Sequence, residues 1–348
     1  MKSKLFEILF LSSALLCAGS CARVGYESFS GYAQGGVYTV KYNSEGVALS
    51  VGEVRSAVDS ILEVIDFTLS GYNKASVLSR LNAGETVTLN DVFTRLYKAS
   101  YSYYYESGGT VDVSSAPLYD IWGFGFTADS LPSGELVRST LALCGMERLR
   151  DPYTMSQFCG SGASLCSRDL LRDTTQIPPK FNFNAVAQGF SCDLVAEYLH
   201  SIGVHDMLVD IGEIYCEGLN PRGCGWTVGV DNPVDGNNTP GADLKGIWES
   251  GGGACGIVTS GNYRKFYIKD GRKYSHTIDP RTGYPVTHPL LSATIVAPTA
   301  FEADAAATRA MVVGADAAMD FVDAKEGMEA YLICSDTLVV SGGFTLMK

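Results

Sequence analysis

The chain has 348 residues, a net charge of −12 and a 46% apolar content, enough to bury a sizeable core as one large domain or two intimate ones. An acidic balance without a basic stripe excludes the electrostatic footprint of a nucleic-acid-binding protein. Beyond the first thirty residues no stretch approaches the roughly eighteen uninterrupted apolar residues of a membrane-spanning helix.

Lys2 and Lys4 precede a mostly apolar run from Leu5 to Cys17, then Ala18-Gly19-Ser20-Cys21. A short positive segment, an apolar segment and small residues before a cysteine have the form of a lipoprotein leader. Residues 1–20 are therefore expected to be a signal peptide and Cys21 the acylated first residue of the mature chain. The expected location is the bacterial cell envelope: an exported, lipid-anchored membrane lipoprotein facing the periplasm, attached to the bilayer and not spanning it. An ordinary leader cut near Ala18, with Cys21 a bystander, is the alternative. Residues 21–34, rich in Gly, Ser and Tyr, are expected to be a tether, and residues 35–348 the folded domain.

Gly36 to Tyr42 alternates like a strand. Val51, Val54, Val58, Ile61, Leu62, Ile65 and Leu69 recur at helical spacing, and Ser70-Gly71-Tyr72-Asn73 breaks that helix. A second helix, banded with tyrosines, is expected from Val92 to Glu106, ended by Gly108-Gly109. Residues 150–178 are polar and without clear period, and are expected to be a surface insertion. Phe190, Leu194, Val195, Leu199 and Ile202 mark another helix, closed by Gly203. Strands are expected at Met207–Ile211, Trp226–Val230, Gly256–Thr259, Phe266–Lys269, Ser292–Ala297 and Leu338–Ser341. Ala303–Val313 and Ala315–Val322 are expected to be helical, with Gly314 between them. Helices and strands mix without a strict βαβ period, which predicts an α/β or α+β chain and not a doubly wound one.

Of ten cysteines, Cys17 and Cys21 belong to the leader region, and the other eight form no C-x-x-C pair or zinc spacing. Most are expected to be buried small hydrophobes, and Cys159 and Cys166 share one loop in which they could bridge.

Three segments carry chemistry. Asp304 and Thr308 are four apart in Glu302–Thr308, so on a helix they share one face. A carboxylate beside a hydroxyl is a hard-oxygen pair of the kind magnesium takes, although the same spacing also fits a solvated helix face. His276 stands just before the turn Asp279-Pro280-Arg281-Thr282-Gly283, as a general acid/base or as a hydrogen-bonded turn histidine. Phe181-Asn182-Phe183-Asn184-Ala185-Val186-Ala187-Gln188-Gly189 leads into a helix, where small residues and a helix start admit a phosphate, or simply join a strand to a helix. Tyr72 puts a ring on a turn, fit to stack on a flat ligand or merely exposed.

The order of these segments resembles the ApbE family of FAD:protein FMN transferases, from about Gly31 to Val322. The resemblance rests on SGYNKASVLSRLN at 70–82, GGTVDVSSAPLYDIWGFG at 108–125, FNFNAVAQGFSCD at 181–193 and LVDIGEI at 208–214. It continues through TSGNYR at 259–264, YSHTIDPRTGYPV at 274–286 and EADAAATRAMVVG at 302–314. It implies a T-fold-like α+β architecture: one large domain of mixed sheets with packed helices. It implies a metal site at the Ala185 carbonyl, Asp304 and Thr308, taking magnesium or calcium. Flavin contacts are implied at Gln34, Tyr72, the strand Thr110-Val111-Asp112, Asn182, Gln188 and Ile278, and proton transfer at His276.

The implied reaction cleaves FAD to AMP and joins FMN by a phosphoester to a Ser or Thr of an exported acceptor. Family acceptors carry a Ser/Thr-Gly-Ala-Ser/Thr-like motif and include Nqr- and Rnf-type subunits. A magnesium-dependent FAD pyrophosphatase and a non-catalytic FAD-binding lipoprotein are the alternatives. The sequence departs from the family pattern at Gln34, where Met is frequent, at Gln188, where Lys or Glu is usual, and at Asn182, where Asp is frequent. Asp210-Ile211-Gly212-Glu213 is one glycine short.

Overall fold

The computed structural model describes residues 25–124, 131–158, 162–234, 237, 239, 241–263, 266–269 and 272–347. Among these, one eight-stranded sheet runs in chain order and is antiparallel throughout. Its strands are β1 Tyr26–Ala33, β2 Gly36–Asn43, β3 Met207–Asp210, β4 Ile214–Glu217, β5 Cys255–Gly261, β6 Leu290–Ala297, β7 Glu329–Cys334 and β8 Leu338–Val340. The helices are α1 Val51–Leu69, α2 Val77–Asn82, α3 Asp91–Glu106, α4 Ala116–Ile121, α5 Gly134–Leu141, α6 Ala187–Ser201, α7 Ala300–Val313 and α8 Ala315–Asp323. Helices α1 to α6 are inserted between β2 and β3, and α7 and α8 between β6 and β7. Hairpins at 227–249, 266–275 and 278–285 flank β5 on either side in the chain. This is the expected α+β architecture of sheets with packed helices, although the sheets expected to be mixed pair their named strands antiparallel among the described residues.

Local chemistry explains the helices. Ser50 and Glu53 form a reciprocal capping box that starts α1, and Val54, Val58, Leu62, Ile65 and Leu69 form its buried stripe. Each such burial contributes about 2 kcal/mol before entropy is charged against it. Tyr97, Tyr101 and Tyr103 of the α3 tyrosine band are core, and Tyr97 packs between Phe93, Phe158 and Phe181, with ring centroids 6.0, 5.0 and 5.7 Å away. Cys144, Cys192, Cys216 and Cys334 are buried, as expected of small hydrophobes. Among the described residues no helix is long and apolar enough to cross a membrane.

Three expectations are corrected. Most of the tether is strand β1, which pairs with β2 over eight residues, so the folded domain begins near residue 25 and not 35. The turn is Gln34-Gly35, both at positive φ (52° and 83°), the two-residue geometry that suits strand twist. Its composition hides it because β1 is an edge strand and buries only Phe29. The 150–178 segment is not a surface insertion: Met155, Phe158, Leu165, Leu170 and Leu171 enter the main core. It lacks a period because short 3-10 turns and a two-residue strand carry those side chains. Thr110-Val111-Asp112 is a buried bend and not a strand, because Gly108 and Gly109 at positive φ turn the chain just before it. The leader, Cys21 and Cys159 lie outside the described residues, and with Cys159 the bridge to Cys166.

Candidate active site

The site is built where α6 crosses α7. Gly189 on α6 lies so close to α7 that an added Cβ would stand 2.2 Å from the Ala300 carbonyl oxygen and 2.8 Å from Asp304 Cβ. Gly256 on β5 grips the same point, since its Cβ would stand 2.3 Å from Ala300 Cα. Glycine at both positions lets three backbones converge. Alanines fill most of the buried side of α7, at 300, 303, 305, 306, 307 and 310, alongside Asp304, Met311 and Val312, so the helix can lie flat against its neighbours.

This convergence buries Asp304, which is 5% exposed. The solvated-face explanation of the Asp304–Thr308 spacing is thereby excluded. Asp304 accepts a hydrogen bond from the Gly189 N–H at 3.0 Å, and the Thr308 hydroxyl donates to the Ala185 carbonyl at 3.2 Å. Burial, with a smaller contribution from the nearby Asp193 carboxylate, pushes the Asp304 carboxyl up to about 8. The donor set is a carboxyl, a hydroxyl and a carbonyl: three hard oxygens, the first of them without an ion-pair partner among the described residues. That chemistry fits a magnesium-class cation.

Asp193, one turn along α6 from Gly189, accepts from the Ala300 and Phe301 N–H groups at 2.8 and 2.9 Å. It therefore caps α7, together with Thr299, whose hydroxyl accepts from the Glu302 N–H at 3.1 Å. Burial raises its carboxyl to about 7.

The expected flavin contacts fall into groups. Gln34, half-buried on the first hairpin turn, donates from Nε2 to the Ser191 hydroxyl at 2.6 Å, while Gln188 donates to the Ile211 carbonyl at 3.2 Å. Both therefore border the first half of α6. The one-glycine-short passage closes as a three-residue loop between β3 and β4, with Asp210 opposite Ile214. Asn182 donates its N–H to the Val113 carbonyl at 2.8 Å, joining the 110–113 bend to the helix entrance. Its side-chain oxygen is occupied by the Asn184 N–H at 2.9 Å. Thr110, Val111 and Asp112 are buried. Asp112 accepts from the Ser114 N–H and hydroxyl and the Gly145 N–H, and burial raises its carboxyl to about 6. Tyr72 is 74% exposed on the α1–α2 turn.

His276 follows the 266–275 hairpin, half-buried, with its ring 6.4 Å from that of Phe124 and edge-on to it. Its neighbours are fixed by Asn262, whose side-chain oxygen accepts from the Ser275 and Thr277 hydroxyls, the latter at 2.6 Å. Ile278 is buried with Leu118, Trp122, Val137 and Cys144, so a ligand at this position meets its backbone. Clefts of about 600 Å³ (Trp122, Tyr274, Tyr284) and about 360 Å³ (Gly108, Asp112, Arg281) border the 278–285 hairpin. Neither is lined by Asp304 or Thr308, because those oxygens are closed onto Gly189 and Ala185.

Sequence reasoning assigned no role to Gly189, Asp193 or Asn262. All three stand inside quoted segments. A glycine early in a helix is a sign of close approach, but an aspartate in mid-helix and an asparagine after a strand have no local sign of their partners.

The ApbE family model matches residues 35–332. The chain is 30% identical over 326 residues to the FAD:protein FMN transferase of Vibrio cholerae, covering 92% of this chain and 91% of that one. It is 31% identical over 293 residues to that of Escherichia coli, covering 82% and 77%. Its fold matches the flavin transferase ApbE from Vibrio cholerae with a TM-score of 0.72 at 28% identity, over 91% of this chain and 97% of that one. It matches the apo form of Pseudomonas stutzeri flavinyl transferase ApbE with a TM-score of 0.74 at 30% identity, over 91% and 94%.

Proposed function

This chain belongs to the ApbE family, and on that premise we propose how its site works. It is a transferase that moves flavin from FAD to a protein. The acceptor is an exported protein with a Ser/Thr-Gly-Ala-Ser/Thr-like motif, of the Nqr or Rnf subunit kind. The enzyme reaches it from the periplasmic face, held to the membrane through a lipid on Cys21.

The observation that carries the reading is the burial of Asp304 beside Thr308 and the Ala185 carbonyl at the α6–α7 crossing. These three oxygens would hold magnesium, which would neutralise charge on the FAD pyrophosphate. Gln34 and Gln188 offer amides beside the first half of α6. The backbone of the 110–112 bend, Asn182 and the Ile278 backbone hold the rest of the dinucleotide, and Tyr72 stacks on one of its rings. The acceptor hydroxyl oxygen attacks the FMN-side phosphorus, and the bond from that phosphorus to the bridging oxygen breaks. AMP departs with the electron pair, and His276 takes the hydroxyl proton. Asn262 supports His276 by locking the residues on either side of it. Most of the acceleration comes from positioning and charge stabilisation.

One incubation tests this: FAD, magnesium and an acceptor domain, with AMP, free FMN and acceptor mass followed together. FMN on the acceptor in equal amount to AMP is the expected result. Free FMN with AMP and an unmodified acceptor identifies a pyrophosphatase instead, and intact FAD a binding protein.

A further inference from the structure

At the other end of α6 a second set of ligand atoms converges, and we propose that it is a metal site for a zinc-class divalent ion. His200, His205 and Glu217 present ligand atoms that all lie within 4.8 Å of one another. His200 Nε2 is 2.5 Å from Glu217 Oε2, and His205 Nδ1 is 4.0 Å from Glu217 Oε1. The two imidazole rings are 5.6 Å apart and tilted by 33°.

Three separate elements bring these groups together. His200 is in the last turn of α6, where the helix dipole favours a cation. His205 is in the connection to β3, and Glu217 ends β4. The carboxylate is aimed by its surroundings. Tyr215 donates its hydroxyl to Glu217 Oε2 at 3.1 Å, and the Trp226 indole N–H fixes the Glu217 carbonyl at 2.8 Å. An outer partner of this kind is what orients ligands in metal sites.

The donor set decides the ion. Two imidazole nitrogens and one carboxylate oxygen suit zinc and its late first-row neighbours, with water completing the shell. Magnesium, which prefers oxygen and keeps its own waters, is poorly served here. The side chains are 35%, 75% and 21% exposed for His200, His205 and Glu217, so an ion has an open approach. Twelve residues of helix separate His200 from Gln188, roughly 18 Å along the axis, so this site is distinct from the catalytic one. An ion here ties the C-terminal end of α6 to the connection before β3 and to β4.

The test is a zinc titration of the full chain with magnesium in excess, followed by calorimetry, and a cobalt(II) titration followed by visible absorption. Wild type is expected to bind one zinc, to gain thermal stability from it, and to give cobalt bands of a nitrogen-ligated ion. His205→Ala, at an exposed position that leaves the His200–Glu217 contact intact, is expected to weaken zinc roughly tenfold or more, and to leave FMN transfer unchanged. Asp304→Ala is expected to leave zinc affinity unchanged. Absent zinc binding, binding indifferent to His205→Ala, or binding lost in Asp304→Ala overturns the proposal.

Discussion

Replacing Gly189 with alanine opposes two effects of different sign. Inside a helix, alanine is favoured over glycine by about 1 kcal/mol, and propensity alone predicts a more stable protein. At this position the new Cβ would stand 2.2 Å from the Ala300 carbonyl oxygen and 2.6 Å from its carbon. These are backbone atoms, unable to rotate aside, so α6 and α7 must separate. Overpacking of this kind costs about 1–3 kcal/mol. Separation also stretches the buried 3.0 Å bond from the Gly189 N–H to Asp304, a loss of about 1–3 kcal/mol. The net expectation is destabilisation by about 3 kcal/mol.

The same shift should damage the site, because Asp304 and Thr308 ride on α7 while Ala185 precedes α6. Urea unfolding of wild type and Gly189→Ala gives the stability difference. The magnesium dependence of AMP release gives the second effect, with half-saturation moving to higher magnesium in the variant. A variant as stable as wild type, or more stable, would refute the reasoning, since propensity would then outweigh a contact that the geometry makes unavoidable.

Other substitutions probe separate links. Asp304→Asn keeps an oxygen for the Gly189 N–H but removes the anionic ligand. AMP release should fall about 10³-fold, several kcal/mol of lost charge stabilisation, with the fold retained by circular dichroism. Asp112 has a pH signature: its carboxyl is raised to about 6 in the fold from 3.8, so between these values the folded state holds a proton that the unfolded state has released. Its contribution to stability is therefore full below about pH 4 and lost as pH rises through 6, on the order of 3 kcal/mol. Wild type measured against Asp112→Asn should show that difference shrinking from pH 4 to 7, and a constant difference would contradict the assignment. Asn262→Ala strips the acceptor from two buried hydroxyls, at about 1–3 kcal/mol. It should lower kcat more than it raises the FAD KM, whereas an equal effect on both would remove it from the support of His276.

Legibility in the sequence followed the size of the repeating signal. Helices α1 and α3 and strand β2 carry long, regular apolar periods, and they form where the spacing puts them. Strand β1 hides because one buried residue in eight makes no period. Strand β7, with the pattern Glu-Ala-Tyr-Leu-Ile-Cys, is short and nearly continuous in apolar character, so its strand identity comes from pairing with β6 and β8. The Asp304–Thr308 pair was readable as one helix face, but its burial was not. Burial depends on Gly189 and Gly256, which stand 115 and 48 residues earlier in the chain and make room for α7.

The two aspartates at this crossing differ in burial and in the backbone bonds they accept, and under the proposed function that difference separates capping from metal binding. Asp193 receives two backbone N–H bonds and sits at the positive end of α7, so the fold meets part of its charge, although burial still raises its carboxyl to about 7. Asp304 is the deeper of the two, buried where Asp193 is half-buried; it receives one N–H bond, and Asp193 stands close enough to repel it. A carboxylate offers about four lone-pair sites. Among the described residues no Lys or Arg pairs with Asp304, and one turn on along α7 Thr308 bonds the Ala185 carbonyl, two oxygens that are themselves cation ligands. A purely structural aspartate would be satisfied as Asp193 is. What remains at Asp304 is a charge that a proton meets at neutral pH, in keeping with a carboxyl raised to about 8, and that a magnesium-class cation would meet under the proposed function.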